Sequence, residues 1–101
     1  MAEFVTVADL SDLKPGQCKP VEAGDKTIAL FNVDGTVYAL ENVCLHQGGP
    51  LGEGDLDANV VTCPWHGWQY NVCTGELCGD SNERVASYPV KIEGNAIKVA
   101  Y

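Results

Sequence analysis

The stretch that decides the fold of this chain begins with Cys44-Leu45-His46, continues through a spacer from Gln47 to Thr62, and ends with Cys63-Pro64-Trp65-His66. Each end contributes one thiol and one imidazole, so the chain holds two matched Cys/His pairs. Both histidines of the protein and two of its five cysteines lie in these pairs. Thiolates and imidazoles are common ligands of transition metals, and the pattern therefore predicts a metal centre.

The spacing within each pair agrees with a binuclear centre. Cys-x-His and Cys-x-x-His keep the two side chains within one turn of backbone, so each loop can reach two metal ions. Gly48, Gly49 and Gly67 next to the pairs allow the backbone to run close to a ligand. A [2Fe–2S] centre with mixed ligation needs two cysteines on one iron and two histidines on the other. We therefore predict four ligands, namely Cys44, His46, Cys63 and His66.

Two longer segments around these pairs, 44–51 and 63–70, resemble the two cluster-binding loops of Rieske-type [2Fe–2S] ferredoxins. The likeness continues in Thr74-Gly75-Glu76 and Tyr88-Pro89-Val90, so it covers nearly the whole chain. The family implies an all-β domain of short antiparallel strands over residues 1–101 that carries one cluster. It also implies an inserted cluster-binding subdomain, here approximately residues 43–87.

Two other interpretations of the Cys/His pairs stay open. A structural zinc site also uses two cysteines and two histidines. Zinc fingers usually group a Cys pair and then a His pair, whereas each loop here mixes the two types. Buried thiols and core histidines without a metal are the third interpretation, and four such residues in two glycine-rich loops argue against it.

Composition and charge restrict the function further. The chain has 101 residues, enough for one small domain, and 14 acidic against 6 basic residues give a formal charge of −8. That charge argues against nucleic acid as a partner, because phosphate binding needs clustered Lys and Arg. No apolar run reaches the roughly 20 residues of a membrane helix, and the start at Met1–Val5 lacks the pattern of a secretory signal. We expect a cytoplasmic protein.

Three cysteines, Cys18, Cys73 and Cys78, remain outside the predicted ligand set. In a reducing cytosol we expect them to be free thiols, small and partly buried. A disulfide between Cys73 and Cys78 stays open, since sequence proximity alone does not establish one.

The pattern of apolar residues predicts a hairpin that leads into the first loop. Lys26–Val33 and Thr36–Leu40 flank Asp34-Gly35, and both positions of such a turn need positive φ. Gln17–Glu22 is predicted as an edge strand, because Pro20 cannot donate a ladder hydrogen bond.

Further strands are predicted around the second loop and at the end of the chain. Val60-Val61 predicts a strand that leads directly to Cys63. Residues 68–72 alternate between large apolar and polar side chains, as is typical of a half-buried strand. The last hairpin turns at Gly94-Asn95. Its two arms are expected to bury one face, formed by Val90, Ile92, Ile97 and Val99.

The resemblance implies a one-electron carrier rather than an enzyme. Such ferredoxins pass electrons from a flavin-dependent reductase to a terminal enzyme such as a Rieske oxygenase, and we expect a monomer. A small redox subunit of a nitrite-reductase-like enzyme is the alternative within the same chemistry. The acidic charge predicts steering toward a basic partner. The acidic residues nearest the loops in sequence are Glu53, Asp55, Asp57 and Asp80.

The ligand set also predicts the reduction potential. Two neutral imidazoles in place of two thiolates raise it, to about −150 to +300 mV against about −400 mV for plant-type ferredoxins. High-potential Rieske proteins carry a disulfide from the positions held here by Gly49 and Trp65, and a serine where this chain has Trp68. Both features are missing, and Trp68 is expected to be a core residue. We expect voltammetry to find a potential in the lower half of the Rieske range. A value above about +200 mV would contradict this interpretation.

Overall fold

The computed structural model describes residues 4–24, 26–42, 50–64 and 67–100. Regular structure in these ranges is almost entirely β, which confirms the predicted fold class. None of the helical segments in this part of the chain could cross a membrane. The strands are β1 (Phe4–Asp9), β2 (Cys18–Ala23), β3 (Lys26–Val33), β4 (Thr36–Glu41), β5 (Asp55–Asp57), β6 (Val60–Thr62), β7 (Gln69–Asn71), β8 (Glu76–Leu77), β9 (Asp80–Arg84), β10 (Ser87–Tyr88), β11 (Val90–Glu93) and β12 (Ala96–Ala100). The 3₁₀ turns are Leu10–Asp12 and Leu51–Glu53.

The described strands form three antiparallel sheets. The terminal sheet has the order β1-β12-β11, and the central sheet has the order β10-β4-β3-β2. The inserted sheet runs β5-β6-β7-β8-β9 as a meander, between β4 and β10 in the sequence. The chain therefore leaves the central sheet after β4, builds the inserted sheet, and returns to pair β10 with β4.

The central strand β3 is buried on both of its faces. Ile28 and Leu30 point into a core shared with Ile97 of the terminal sheet. Ala29 and Phe31 point the other way, into a second core that contains side chains of the inserted sheet. The apolar run of β3 is typical of a strand covered on both sides. The central sheet consequently separates two hydrophobic cores.

The predicted first hairpin is confirmed at its turn. β3 and β4 pair from Ile28↔Glu41 to Val33↔Thr36, with Asp34 at φ 52° and Gly35 at φ 96°. Positive φ at both positions matches the right-handed twist of the flanking strands. β2 lies at the edge of the central sheet, as its proline predicts.

The predicted burial of the last hairpin is partly wrong. β11 and β12 pair as expected, and Ile97 and Val99 are fully buried. Ile92, however, is 41% exposed. β11 is the edge strand of the terminal sheet, so its side chains have a neighbouring strand on one side only.

A buried asparagine ties the first hairpin to the segment before β2. Asn32 donates from Nδ2 to the carbonyl of Leu13 at 2.8 Å, and its Oδ1 accepts from the N–H of Gly35 at 2.8 Å. Its backbone N–H donates to Gln17 and its carbonyl accepts from Gly16. Burial of this amide is tolerable because its side chain is hydrogen-bonded.

Asn32→Ala should destabilise the fold. The change leaves the carbonyl of Leu13 and the N–H of Gly35 without their partner, and a lost buried partner costs about 1–3 kcal/mol. We expect the free energy of unfolding, measured with urea, to fall by about 2 kcal/mol. Asn95→Ala, at an exposed turn position, is the matched control and should change it little. Equal effects of the two substitutions would contradict this role.

Candidate metal centre

The second predicted ligand loop is the tip of the β6–β7 hairpin. Thr62 pairs with Gln69, and the N–H of Cys63 donates to the carbonyl of Trp68 at 2.7 Å, which extends the ladder by one step. Gly67 has φ +75°, a left-handed angle that favours glycine. Cys63 therefore stands at the base of a short loop whose two ends are hydrogen-bonded together.

Cys63 points into the protein, as an inner metal ligand should. Cys63 is 1% exposed, and it belongs to the same core as Leu51, Val61 and Tyr70. His66, the predicted partner in this loop, lies outside the described residues.

The first predicted ligand loop is held together at its two ends. Cys44 and His46 lie in 43–49, outside the described residues. On either side of that segment, the N–H of Gly52 donates to Oδ1 of Asn42. The N–H of Asn42 in turn donates to the carbonyl of Thr27 in β3, at 3.2 Å. The loop thus leaves the central sheet and returns to nearly the same place.

Residues 50–54, here called the connector, bring the ends of the two loops together. A Cβ on Gly54 would lie 2.1 Å from the carbonyl oxygen of Thr62, directly before Cys63. A Cβ on Gly52 would lie 2.7 Å from the backbone nitrogen of Pro20 in β2. Real Cβ atoms do not approach so closely, so both positions need glycine. The connector is therefore in backbone contact with β2 on one side and with β6 on the other.

This arrangement fits a binuclear cluster held by two loops. The connector places the return of the first loop beside the start of the second, and the buried Cys63 offers a thiol at that junction. Of the four predicted ligands, the structure describes Cys63 alone.

The aromatic residues after the second loop belong to the core beneath it. Tyr70 is fully buried in β7, opposite Val61 and Leu77. Trp68 is half-buried and packs against the same core, as predicted. These side chains therefore support the base of the loop.

Residues 77–85 contain the end of β8 and all of β9, and these two strands form a hairpin. β8 and β9 pair at Glu76↔Arg84 and Leu77↔Asp80, and the register of the ladder shifts between these two pairs. The N–H of Cys78 donates to the carbonyl of Gln69 at 2.8 Å. The β8–β9 turn consequently lies beside the end of the second loop.

The remaining cysteines are free thiols, as predicted, but only Cys18 is partly buried. Cys73 and Cys78 are exposed, and they lie at opposite ends of β7, one after Asn71 and the other beside Gln69. That separation explains why they form no disulfide. The side chain of Cys73 instead hydrogen-bonds Tyr38, which raises the pKa of the phenol.

The sequence predicts the ligands, but the connector between their loops was not predicted. Its only signal is the pair of glycines in Pro50-Leu51-Gly52-Glu53-Gly54. Glycines are frequent in loops, and the need for them here arises from the backbones of β2 and β6, which the local sequence does not reveal.

Comparison with known proteins gives a consistent result along the whole chain. A family model described as the Rieske [2Fe-2S] domain matches residues 3–89. The ferredoxin component of the naphthalene 1,2-dioxygenase system of Pseudomonas putida is 33% identical over 98 residues, which cover 96% of this chain and 94% of that protein.

Solved structures agree with the sequence matches. The ferredoxin of carbazole 1,9a-dioxygenase from Nocardioides aromaticivorans IC177 has a TM-score of 0.89 and 29% identity, and the match covers 98% of both chains. A chain in the complex of reduced oxygenase and oxidized ferredoxin in carbazole 1,9a-dioxygenase has a TM-score of 0.87 and 32% identity. That match covers 96% of this chain and 92% of the other.

Proposed function

The chain belongs to the Rieske [2Fe–2S] domain family, and on this basis we propose that it carries single electrons from a flavoprotein reductase to a terminal oxygenase. The observation that carries the proposal is its full-length similarity to ferredoxin components of oxygenase systems. A relative of similar length forms a complex with its oxygenase, which supports an oxygenase as the acceptor. The chain is an electron-transfer component and not itself a catalyst.

Four side chains hold the cluster in this proposal. Cys44 and Cys63 bind one iron, and His46 and His66 bind the other. The burial of Cys63 supports an inner, thiolate-bound iron. The bound cluster supplies one-electron redox chemistry, whereas the chain holds it in place and shields its inner side.

The cluster-binding subdomain is proposed to comprise approximately residues 43–87. The inserted sheet, at 55–84, supports this division, because among the described residues its strands pair only with strands of the same sheet. The cytoplasm is the proposed compartment. Three unbridged cysteines agree with reducing surroundings.

Negative charge is concentrated in the proposed cluster-binding subdomain. Residues 43–87 contain six acidic residues and one basic residue, so they carry −5 of the total −8. The single cation, Arg84, lies 3.7 Å from the carboxylate of Glu76. This half of the molecule therefore presents almost purely negative charge to a partner.

A concave acidic surface adjoins the second loop. Asp55 and Asp57 on the edge strand β5 are exposed, and they line a depression of about 500 Å³ together with Thr62 and Gln69. Thr62 directly precedes Cys63, so negative charge lies beside the base of the second predicted ligand loop. A basic patch on the reductase or oxygenase is the complementary surface.

The ligand assignment is tested by substitution. Cys44→Ser and Cys63→Ser should each abolish cluster assembly, since these thiolates anchor the inner iron. His46→Cys should retain a cluster at lower potential, because it adds a negative charge. Visible absorption and iron content are the measurements, and Cys73→Ser, at an exposed cysteine, is the control. An unchanged spectrum in Cys63→Ser, or a colourless wild-type protein with stoichiometric zinc, would disprove the assignment.

Electron transfer from the reductase should slow as salt rises. The Debye length falls from about 10 Å at 0.1 M to about 3 Å at 1 M, which removes steering by the acidic surface. Asp55→Asn/Asp57→Asn should lower the second-order rate at low salt by about tenfold and weaken its dependence on salt.

The matched control for this experiment is Asp12→Asn/Asp34→Asn. It removes the same charge from two exposed carboxylates that lie outside the inserted sheet and do not line the depression. Stopped-flow reduction measures the rate. A rate that does not respond to salt would refute steering, and equal effects of the two double variants would refute the assigned surface.

A further inference from the structure

The connector (50–54) is fixed on the side of the central sheet by a cysteine outside the ligand set. Cys18 is the first residue of the edge strand β2, where it pairs with Phe31 of β3. Its Sγ donates to the carbonyl oxygen of Gly54, at 3.2 Å. The contact joins residues 36 positions apart, between the central sheet and the last residue of the connector, directly before β5.

The carbonyl that accepts this bond has little freedom on its other side. Gly54 lies against Thr62, with no room for a Cβ, and Thr62 precedes Cys63. A displacement of Gly54 must therefore move either β6 or the end of the first loop. Gly54 therefore has close contacts with both the central sheet and the start of the second loop.

We propose that Cys18 is a positioning residue for the iron–sulfur cluster, whose thiol sets the spacing of the two ligand loops by holding the carbonyl of Gly54. The inference rests on the proposed ligand set. It assigns a role to a cysteine that has neither a disulfide partner nor a place among the ligands.

The surroundings of Cys18 keep the thiol in the form that can donate. Burial raises its pKa, and the nearby carboxylate of Asp55 raises it further. A thiol in such surroundings is a poor nucleophile, because the thiolate is the reactive species. Cys18 is therefore suited to a permanent structural hydrogen bond rather than to redox sensing.

The test separates the hydrogen bond from simple packing. Cys18→Ala and Cys18→Val both remove the donor, and valine also preserves bulk and suits a strand. Cys18→Ser retains a donor. Cys73→Ala is the control, an exposed cysteine at the far end of β7. Each holoprotein is compared for the rate of cluster loss to a chelator, the reduction potential, the electron paramagnetic resonance spectrum of the reduced state, and the melting temperature.

We expect Cys18→Ala and Cys18→Val to lose the cluster roughly fivefold faster than wild type, the equivalent of one net hydrogen bond. Their potential and resonance spectrum should shift as well. Cys18→Ser should match wild type in the rate of cluster loss, the reduction potential and the resonance spectrum. Cys73→Ala should also resemble wild type. Either of the two donor-lacking variants suffices for the comparison if the other does not fold.

Three results would overturn the proposal. Donor-lacking variants with wild-type cluster retention and potential would show that the bond does not position the loops. A lower melting temperature with an unchanged potential and spectrum would reduce Cys18 to a packing role, and so would a serine variant as defective as alanine. In each of these cases the wild-type spectrum stays that of a Rieske centre, so the proposed function survives. A wild-type protein without that spectrum would overturn both.

Discussion

Burial of β3 on both faces is the constraint on which the rest of the structure depends. Ile28 and Leu30 need the terminal sheet as cover, and Phe31 needs the inserted sheet. Full burial of one such side chain contributes about 1.5–3 kcal/mol, whereas a whole domain is stable by only about 5–15 kcal/mol. Exposing either face would therefore remove a large part of the total stability. The inserted sheet thus covers β3, and it also carries the second predicted ligand loop.

The same constraint gives the predicted ligand loops a firm base. β4 leads from the central sheet into the first loop, and the connector returns along β2 before β5 begins. Cys63 and Leu51 enter the core that covers Phe31, so the loop bases are packed by the side chains that stabilise the fold. Sites built on packed strands hold their geometry better than sites on free loops. For an electron carrier, a rigid site means little rearrangement when the charge changes.

The sequence predicted most of the fold where the local signal and the tertiary structure agree. Asp34-Gly35 specifies a tight turn whatever surrounds it, and the mixed Cys/His pairs predict a metal centre without reference to the surrounding fold. The exposure of Ile92 was not predictable, because the alternation of apolar and polar residues identifies the apolar face of a strand but does not show whether another sheet covers that face. The pairing within 77–85 depends on β7 as a template, and the two connector glycines depend on the backbones of β2 and β6. Each of these features results from contacts between segments distant in sequence.

The distribution of polarity on the surface agrees with partners that bind briefly. Among the described residues, the large apolar side chains that are exposed, Phe4, Val5 and Ile92, belong to the terminal sheet. That sheet lies across the central sheet from the inserted one, whereas Asp55 and Asp57 adjoin the second loop. Charges at the rim of an interface mainly accelerate association, whereas buried apolar contacts mainly slow dissociation. A carrier that must leave one partner to reach the next therefore gains from negative charge near its redox centre, where the described residues place Asp55 and Asp57.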